Sequence, residues 1–121
     1  NTIKIGLVIE DISPMGRDLA SAFLNTRYFQ AHVSASRPAL TEQLVAAHLR
    51  GIVVIPQDFS EKLKRNLSSP IQVIADGTEP NTATFVENYA DAVVNRWWNQ
   101  WQKENGIEYG TIKTETRMWY N

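Results

Sequence analysis

Cysteine is absent from the 121-residue sequence, and methionine and histidine occur only twice each. The absence of cysteine excludes a disulfide framework, a cysteine-ligated zinc site and thiol catalysis. It leaves the cellular compartment open, because a cysteine-free domain survives in a reducing or an oxidising space. The sequence begins at Asn1 with a strand pattern and without an initiator methionine or a signal peptide. We therefore expect a processed chain or a piece of a longer one.

An excess of charge and a long apolar run are also missing. Twelve basic residues face 13 acidic ones, for a formal net charge of −1, so no basic field is present to attract nucleic acid or anionic lipid. No stretch approaches the roughly 18 consecutive apolar residues of a membrane-spanning helix. The sequence thus predicts a soluble body, and any membrane segment would lie outside these residues.

Motifs for catalysis are equally scarce. The two histidines, His32 and His48, have no recognisable partners, and no zinc-protease, serine-hydrolase or phosphate-loop motif is present. Glu10-Asp11 reads as a strand end that turns into solvent, and Asp58 with Glu61 reads as a helix capping box. A small hydrolase is therefore the least favoured function, and we expect no enzyme activity, metal or cofactor.

Strand and helix periodicities alternate along the whole chain. Strand patterns occupy residues 3–9, 29–35, 52–55, 71–75 and 111–120. Helices are predicted from Pro14 with Ser13 as cap, after Pro38 with Thr41 as cap, after Asp58, and over residues 80–104. Gly51 is expected to end the second helix in the left-handed conformation. The order β-α-β-α-β-α-β-α-β predicts a single α/β domain over residues 1–121, with a five-stranded mixed, mostly parallel sheet and four helices. The first, second and last strands each have a polar face and only the third is apolar on both, so part of the sheet is expected to be exposed or covered by a partner.

The most distinctive segment joins the fourth strand to the last helix. A strand that ends at a helix N-terminus is where α/β sheets bind ligands, and free N–H groups there can hold an anion. A structural role is favoured, with Gly77 supplying a positive φ, Pro80 stiffening the turn, and Asn81 or Thr82 capping the helix. The candidate interaction residues in this loop are Asp76, Gly77, Thr78, Glu79, Pro80 and Asn81.

Aromatic residues form the second distinctive feature. The last helix carries two offset apolar stripes, one ending at Trp97 and the other containing Trp98 and Trp101, where a single contact layer needs only one. The favoured interpretation is a large core; the alternative is a protein contact or a membrane-interface belt, in which Trp and Tyr are enriched. Trp98, Trp101, Trp119 and Tyr120 are accordingly the aromatic interaction candidates. The arginines at positions 17, 27, 37 and 50 are interpreted as solvated.

Several segments together resemble a known family. They are the Val8-Ile9-Glu10-Asp11 and Ser13-Pro14 pair, the Gly51-to-Pro56 strand followed by Asp58-Phe59-Ser60, the Asp76-to-Ala83 segment, and Arg117-Met118-Trp119-Tyr120-Asn121. In order and spacing the chain resembles the extracytoplasmic domain of type-2 ABC exporter permeases of the multidrug-efflux-like branch. The resemblance implies a domain between the first and second membrane helices of a permease, on the periplasmic side of the bacterial inner membrane. It also implies three partners: a second permease subunit, a cytoplasmic ATPase subunit that hydrolyses ATP and, in Gram-negative members, a periplasmic adaptor of the membrane-fusion type.

Two functional hypotheses follow. In the first, the domain takes part in export of drugs or other hydrophobic compounds through partner docking and exit gating, and both of its ends reach the membrane on one side. In the second, it is a free-standing α/β domain that binds a small anionic metabolite at the Asp76-Gly77 turn. Nothing in composition or spacing identifies the exported compound.

Overall fold

Five strands form one sheet in the structure, a computed structural model that describes residues 2–34, 36–38, 42, 44, 48–106 and 110–120. They lie side by side in the order β2-β1-β3-β4-β5, and their bounds are β1 (Ile3–Ile9), β2 (Phe29–Ser34), β3 (Gly51–Ile55), β4 (Ser69–Asp76) and β5 (Ile112–Trp119). Within the described residues the helices are α1 (Pro14–Asn25), α2 (Phe59–Lys64) and α3 (Pro80–Asn105). The second of the four predicted helices, the one after Pro38, falls largely outside the described residues.

The directions of the strands decide what the ends of the sheet contain. Strands β2, β1 and β3 are mutually parallel, β4 is antiparallel to β3, and β5 is parallel to β4. The mixed, mostly parallel α/β sheet of a single domain is thereby confirmed. Because β5 runs opposite to β1, strand β1 begins and strand β5 ends at the same edge of the sheet. We call this the terminal edge; Ile3, Asp76 and Trp119 lie there.

Helices α1, α2 and α3 cover one face of the sheet. The side chains of Leu7 on β1, Val53 on β3 and Val73 on β4 are in register on this face and fully buried. Phe23 of α1 and Phe59 of α2 fill the layer between sheet and helices. Burying a side chain of this size stabilises the fold by roughly 1.5–3 kcal/mol. This layer is the main core, and the alternating apolar residues of the sequence predict it.

The start of helix α1 agrees with the sequence prediction. The Oγ atom of Ser13 accepts a hydrogen bond from the Gly16 N–H at 3.2 Å, and Pro14 occupies the first turn. A side-chain oxygen at this position satisfies one of the free N–H groups of the helix, and a proline there loses no hydrogen bond. The Ser13 cap is confirmed.

The opposite face of the sheet is smaller and more polar. Val8, Ile52 and Val54 are buried there with Leu44 and Leu49, so the chain that follows Pro38 does contact the sheet. Towards β5 the face is exposed at three charged residues, Lys113, Glu115 and Arg117. This face therefore has a buried centre and a polar side at β5, as the alternating pattern of the last strand predicts.

On this face Arg37 forms a hydrogen-bond network with Glu10 and Gln72 that the sequence did not predict. Its guanidinium donates to both carboxylate oxygens of Glu10, at 2.9 and 3.1 Å, and to the Gln72 side-chain oxygen at 2.9 Å. The hydrogen bond to Glu10 raises the pKa of Arg37 further above its usual value. The expectation that Arg37 is simply solvated is wrong, because strand β1 ends beside residues 36–38.

Gly51 does not end a helix, as the sequence analysis expected. It begins β3 and pairs with Ile5 and Ala75, whereas the positive φ nearby belongs to His48, at 54°. A Cβ at Gly51 would lie 2.9 Å from Cγ1 of Val86 on α3, closer than packed carbon atoms approach. The glycine is thus explained by the close approach of α3 to the sheet.

Two further expectations about acidic residues are wrong. Asp58 makes no capping hydrogen bond with its side chain and lies 3.2 Å from the ammonium group of Lys62. Asp11 does not face solvent but is only 3% exposed, and its carboxylate accepts from the backbone N–H groups of Ser13 and Ser60, at 2.9 and 2.8 Å. Burial raises the pKa of Asp11, but hydrogen bonds from Ser13 and Ser60 outweigh it and hold the pKa below its usual value. Asp11 therefore joins the starts of α1 and α2.

Candidate interaction surface at the terminal edge

The terminal edge brings the predicted loop and the end of β5 together. Residues 76–81, the 76–81 loop, lead from β4 into α3. The Gly77 N–H donates to the Trp119 carbonyl at 2.7 Å, and the Asp76 N–H donates to the Arg50 carbonyl at 3.0 Å. These two backbone hydrogen bonds connect the loop to β5 on one side and to the chain entering β3 on the other.

The carboxylates of the 76–81 loop already have partners. Asp76 accepts from the backbone N–H and the hydroxyl of Thr78, at 3.0 and 2.6 Å, as in an Asx turn. The Arg50 guanidinium lies 3.2 Å from the Glu79 carboxylate and 3.7 Å from that of Asp76. Arg50, which the sequence analysis interpreted as solvated, is thus the cation of this loop.

The start of helix α3 is acidic and offers little to an anion. Glu79 is the residue before the first helical turn, its side chain makes no capping bond, and Pro80 follows it. Neither Asn81 nor Thr82 caps the helix as expected; the Thr82 hydroxyl donates to the Glu79 carboxylate at 3.2 Å. A carboxylate at this position occupies the region that an anionic ligand would need. The geometry therefore does not favour the anionic-metabolite hypothesis.

Gly77 does not adopt the positive φ that the sequence predicts for it. Among the glycines of the described residues a positive φ is found at Gly106, at 63°, and not at Gly77. A Cβ at Gly77 would instead lie 2.6 Å from Cε1 of Tyr120. The Tyr120 ring thus rests directly on the backbone of the 76–81 loop, while 68% of the residue stays exposed. Loop and ring form one surface.

The tryptophans divide between core and surface. Trp98 is 9% exposed and belongs to the main core, as the favoured interpretation of the aromatic stripes predicts. Trp101 is partly buried and stacks on Trp97 at a centroid distance of 5.5 Å. Trp119 is partly buried against the cluster of Val8, Ile52 and Val54 on the face of the sheet opposite to helices α1, α2 and α3. The exposure that a direct contact needs is found at Tyr120 and not at Trp98.

A row of stacked rings, which the sequence analysis missed, lies beside this surface. Phe85 stacks on Tyr89 at 5.9 Å, and Tyr89 stacks on Tyr28 at 4.6 Å. The Tyr28 carbonyl accepts from the Ile3 N–H, which places the row at the terminal edge. Phe85 is 50% exposed. The spacing of Phe85 and Tyr89 on one helix face was the available signal; the approach of Tyr28 was not visible in the sequence.

The described residues contain no group of three or more metal-ligating side chains, and in that part of the chain no helix has the length and apolarity to cross a bilayer. The fold defines an α/β domain in which the first strand begins and the last strand ends at the same edge of the sheet, the terminal edge. The model of the family described as ABC-2 family transporter protein matches residues 1–117. The chain belongs to this family of ABC transporter permeases.

Individual relatives agree with the family. The chain is 37% identical over 121 residues to the "Probable multidrug ABC transporter permease YbhS" of Escherichia coli K12, covering 98% of this chain and 32% of that protein. It is 33% identical over 70 residues to the permease YbhR of the same organism, covering 58% and 19%. The chain therefore spans about a third or less of the length of these relatives.

A solved structure shares the fold. The crystal structure of a domain assigned to the ABC type-2 transporters, from Thermotoga maritima MSB8, matches with a TM-score of 0.71. The match covers 95% of this chain and 86% of that one, at 16% sequence identity. At this identity the comparison shows the fold alone.

Proposed function

We propose that this chain is the extracytoplasmic domain of an exporter permease, inserted between its first and second membrane helices on the periplasmic side of the bacterial inner membrane. The observation that carries the proposal is the terminal edge: strand β1 begins and strand β5 ends there because β5 runs antiparallel to β1. A domain inserted between two helices that cross the same bilayer needs both of its connections on one side. The single reversal of strand direction, between β3 and β4, supplies that arrangement.

The surface around the two connections suits a position near lipid headgroups or a neighbouring subunit. Tyr120 and Phe85 present exposed rings there, and Tyr28 and Tyr89 continue the row. Tyrosine is enriched at membrane interfaces and in protein contacts because its ring is apolar and its hydroxyl is polar. We assign partner docking and exit gating to this edge, with the 76–81 loop and Tyr120 as the contacts.

The partners and cargo follow from the family and from the names of the relatives. A permease of this family would work with a second permease subunit and a cytoplasmic ATPase subunit, and with an adaptor of the membrane-fusion type where an outer membrane must be crossed. The relative YbhS bears the name of a multidrug permease, and we propose export of drugs or other hydrophobic compounds for this chain as well. ATP hydrolysis would reside on the separate ATPase subunit.

Cysteine labelling of the full-length permease tests the location. These 121 residues contain no cysteine. In a full-length permease whose other cysteines have been replaced, Thr78→Cys at the terminal edge and Gln57→Cys at the opposite edge would each supply one exposed thiol. In intact cells with a permeabilised outer membrane, a maleimide that cannot cross the inner membrane should label both variants. Labelling that appears only after the inner membrane is lysed would refute the periplasmic location.

The same two variants test the orientation. Spin-labelled lipids should quench a fluorophore attached to the Thr78→Cys variant more strongly than one attached to the Gln57→Cys variant, because the terminal edge would face the bilayer. Equal quenching at both positions would contradict the proposed orientation while leaving the location intact.

A further inference from the structure

A groove between helices α1 and α3 lies outside the surface already described. Its volume is about 830 Å³, within the range of small-molecule sites. The residues that matter for its chemistry are Ala22, Val93 and Trp97 on its apolar floor and Arg27 and Arg96 at its sides.

The floor of the groove is fixed in place. The Trp97 indole N–H donates to the Asp18 carboxylate at 2.7 Å, which connects α3 to α1. Trp97 also packs against Phe59 and Trp101, at centroid distances of 5.9 and 5.5 Å. A ring held from two sides does not need to be ordered when a ligand arrives, so the groove is preorganised.

The two arginines of the groove have no carboxylate partner within the described residues, whereas Arg37 and Arg50 each have one. The nearby carboxylate of Asp18 accepts from Trp97. The Arg27 guanidinium lies 5.9 Å from the centre of the Tyr28 ring, which holds it beside the groove. Two cations without a carboxylate partner among the described residues therefore flank an apolar floor, in a chain with a net charge of −1.

The residues that line the groove indicate the shape of a ligand. On α3 they run from Ala92 to Gln100, about two helical turns or roughly 12 Å. We propose that this groove binds an elongated amphiphilic carboxylate, with the apolar chain along Val93 and Trp97 and the carboxylate at the arginines. Guanidinium groups bind carboxylates through paired, charge-assisted hydrogen bonds.

Calorimetry with decanoate tests the proposal on the 121-residue chain, at neutral pH, low salt and below the micelle concentration. Saturable binding with one site is expected. Arg27→Gln and Arg96→Gln should each weaken it about tenfold, the effect of losing one charge-assisted contact. Arg65→Gln is the matched control, because Arg65 is an exposed arginine after α2 and outside the groove, and it should leave affinity unchanged.

A second variant tests the apolar floor. Ala92 is exposed on α3 and lines the groove, so Ala92→Phe should fill the groove without disturbing the core and should abolish decanoate binding. Circular dichroism would verify that each variant is folded. Decyltrimethylammonium, with the same chain and a positive head, should not bind.

Three results would overturn the proposal: no decanoate binding, equal binding of decyltrimethylammonium, or full binding by the folded Arg27→Gln/Arg96→Gln double variant. If decanoate fails to bind and the double variant loses subunit assembly in the full-length permease, an acidic protein partner occupies the groove instead. Binding to the isolated chain does not depend on membrane orientation, so either outcome leaves the labelling test of the proposed function separate.

Discussion

Replacing Asp11 by alanine should destabilise the domain more than the same replacement of any other charged residue on the side of the sheet that helices α1, α2 and α3 cover. The carboxylate is 3% exposed and accepts from two backbone N–H groups, those of Ser13 and Ser60. Removing it leaves two donors without an acceptor, at about 1–3 kcal/mol each when buried. The Ser60 N–H is buried, but the Ser13 N–H is only partly buried, so its loss costs less than the upper limit. We therefore expect the free energy of unfolding to fall by about 2–4 kcal/mol, out of the roughly 5–15 kcal/mol typical of a domain.

Urea denaturation followed by tryptophan fluorescence would measure this loss, with Asp58→Ala as the control. Asp58 is also an acidic residue at the start of a helix, but its carboxylate makes only a half-exposed ion pair with Lys62. Such pairs contribute up to about 1 kcal/mol. If Asp11→Ala costs no more than Asp58→Ala, the account of Asp11 as the junction of α1 and α2 is refuted.

The pH dependence of stability gives an independent test of Asp11. Its pKa in the folded protein is lowered by hydrogen bonds from Ser13 and Ser60 that outweigh burial, whereas an unfolded aspartate has a pKa of about 3.9. The stabilisation is therefore fully present above that unfolded pKa and is lost as the pH falls through the folded pKa. The difference between the native chain and Asp11→Ala should shrink on acidification; a constant difference down to acid unfolding would contradict this reasoning.

Three further changes follow from contacts in the structure. Gly51→Ala should lower the free energy of unfolding, measured by urea denaturation, by about 1–3 kcal/mol, because its Cβ would lie 2.9 Å from Val86. This loss should be smaller in a Val86→Ala background. Equal losses in the two backgrounds would contradict the close approach of α3 as the reason for the glycine. Arg37→Gln should cost about 1 kcal/mol or less, and less still at high salt, because its pairing with Glu10 is partly exposed; a large, salt-independent loss would be unexpected. Tyr120→Ala should leave the domain folded but lower drug efflux by the full-length permease, whereas Leu67→Ala, which is 46% exposed, should not; equal effects would remove Tyr120 from the proposed contact.

The terminal edge combines features that come from distant parts of the chain. Arg50 precedes β3, Glu79 precedes α3 and Tyr120 follows β5, yet the first two form an ion pair and the third rests on Gly77. Strand directions place all of them at one edge. If this edge faces the membrane, a displacement of either connection would act directly on the 76–81 loop, which is why we assign gating to it.

Sequence reasoning succeeded where neighbours along the chain decide the structure. Ile3 to Ile9 alternates and forms β1, and Ser13 caps α1. It failed where a distant residue decides: Gly51 and Gly77 were assigned local turn roles, but Gly51 lies against Val86 of α3 and Gly77 lies under the ring of Tyr120. The Asp58 capping box failed for the same reason, since Asp11, 49 positions from Ser60, takes the N–H of that turn.

The sequence by itself determined the five strands, the three described helices and their buried faces, because periodicity and capping are properties of neighbouring residues. The order and spacing of its segments also indicated the family. Only the tertiary structure decided which loops meet at the terminal edge, that Trp98 is buried while Tyr120 is exposed, and that Arg27 and Arg96 flank one groove. The physical reason is that these contacts depend on the order and direction of the strands. The reversal between β3 and β4 is invisible in the local pattern of either strand.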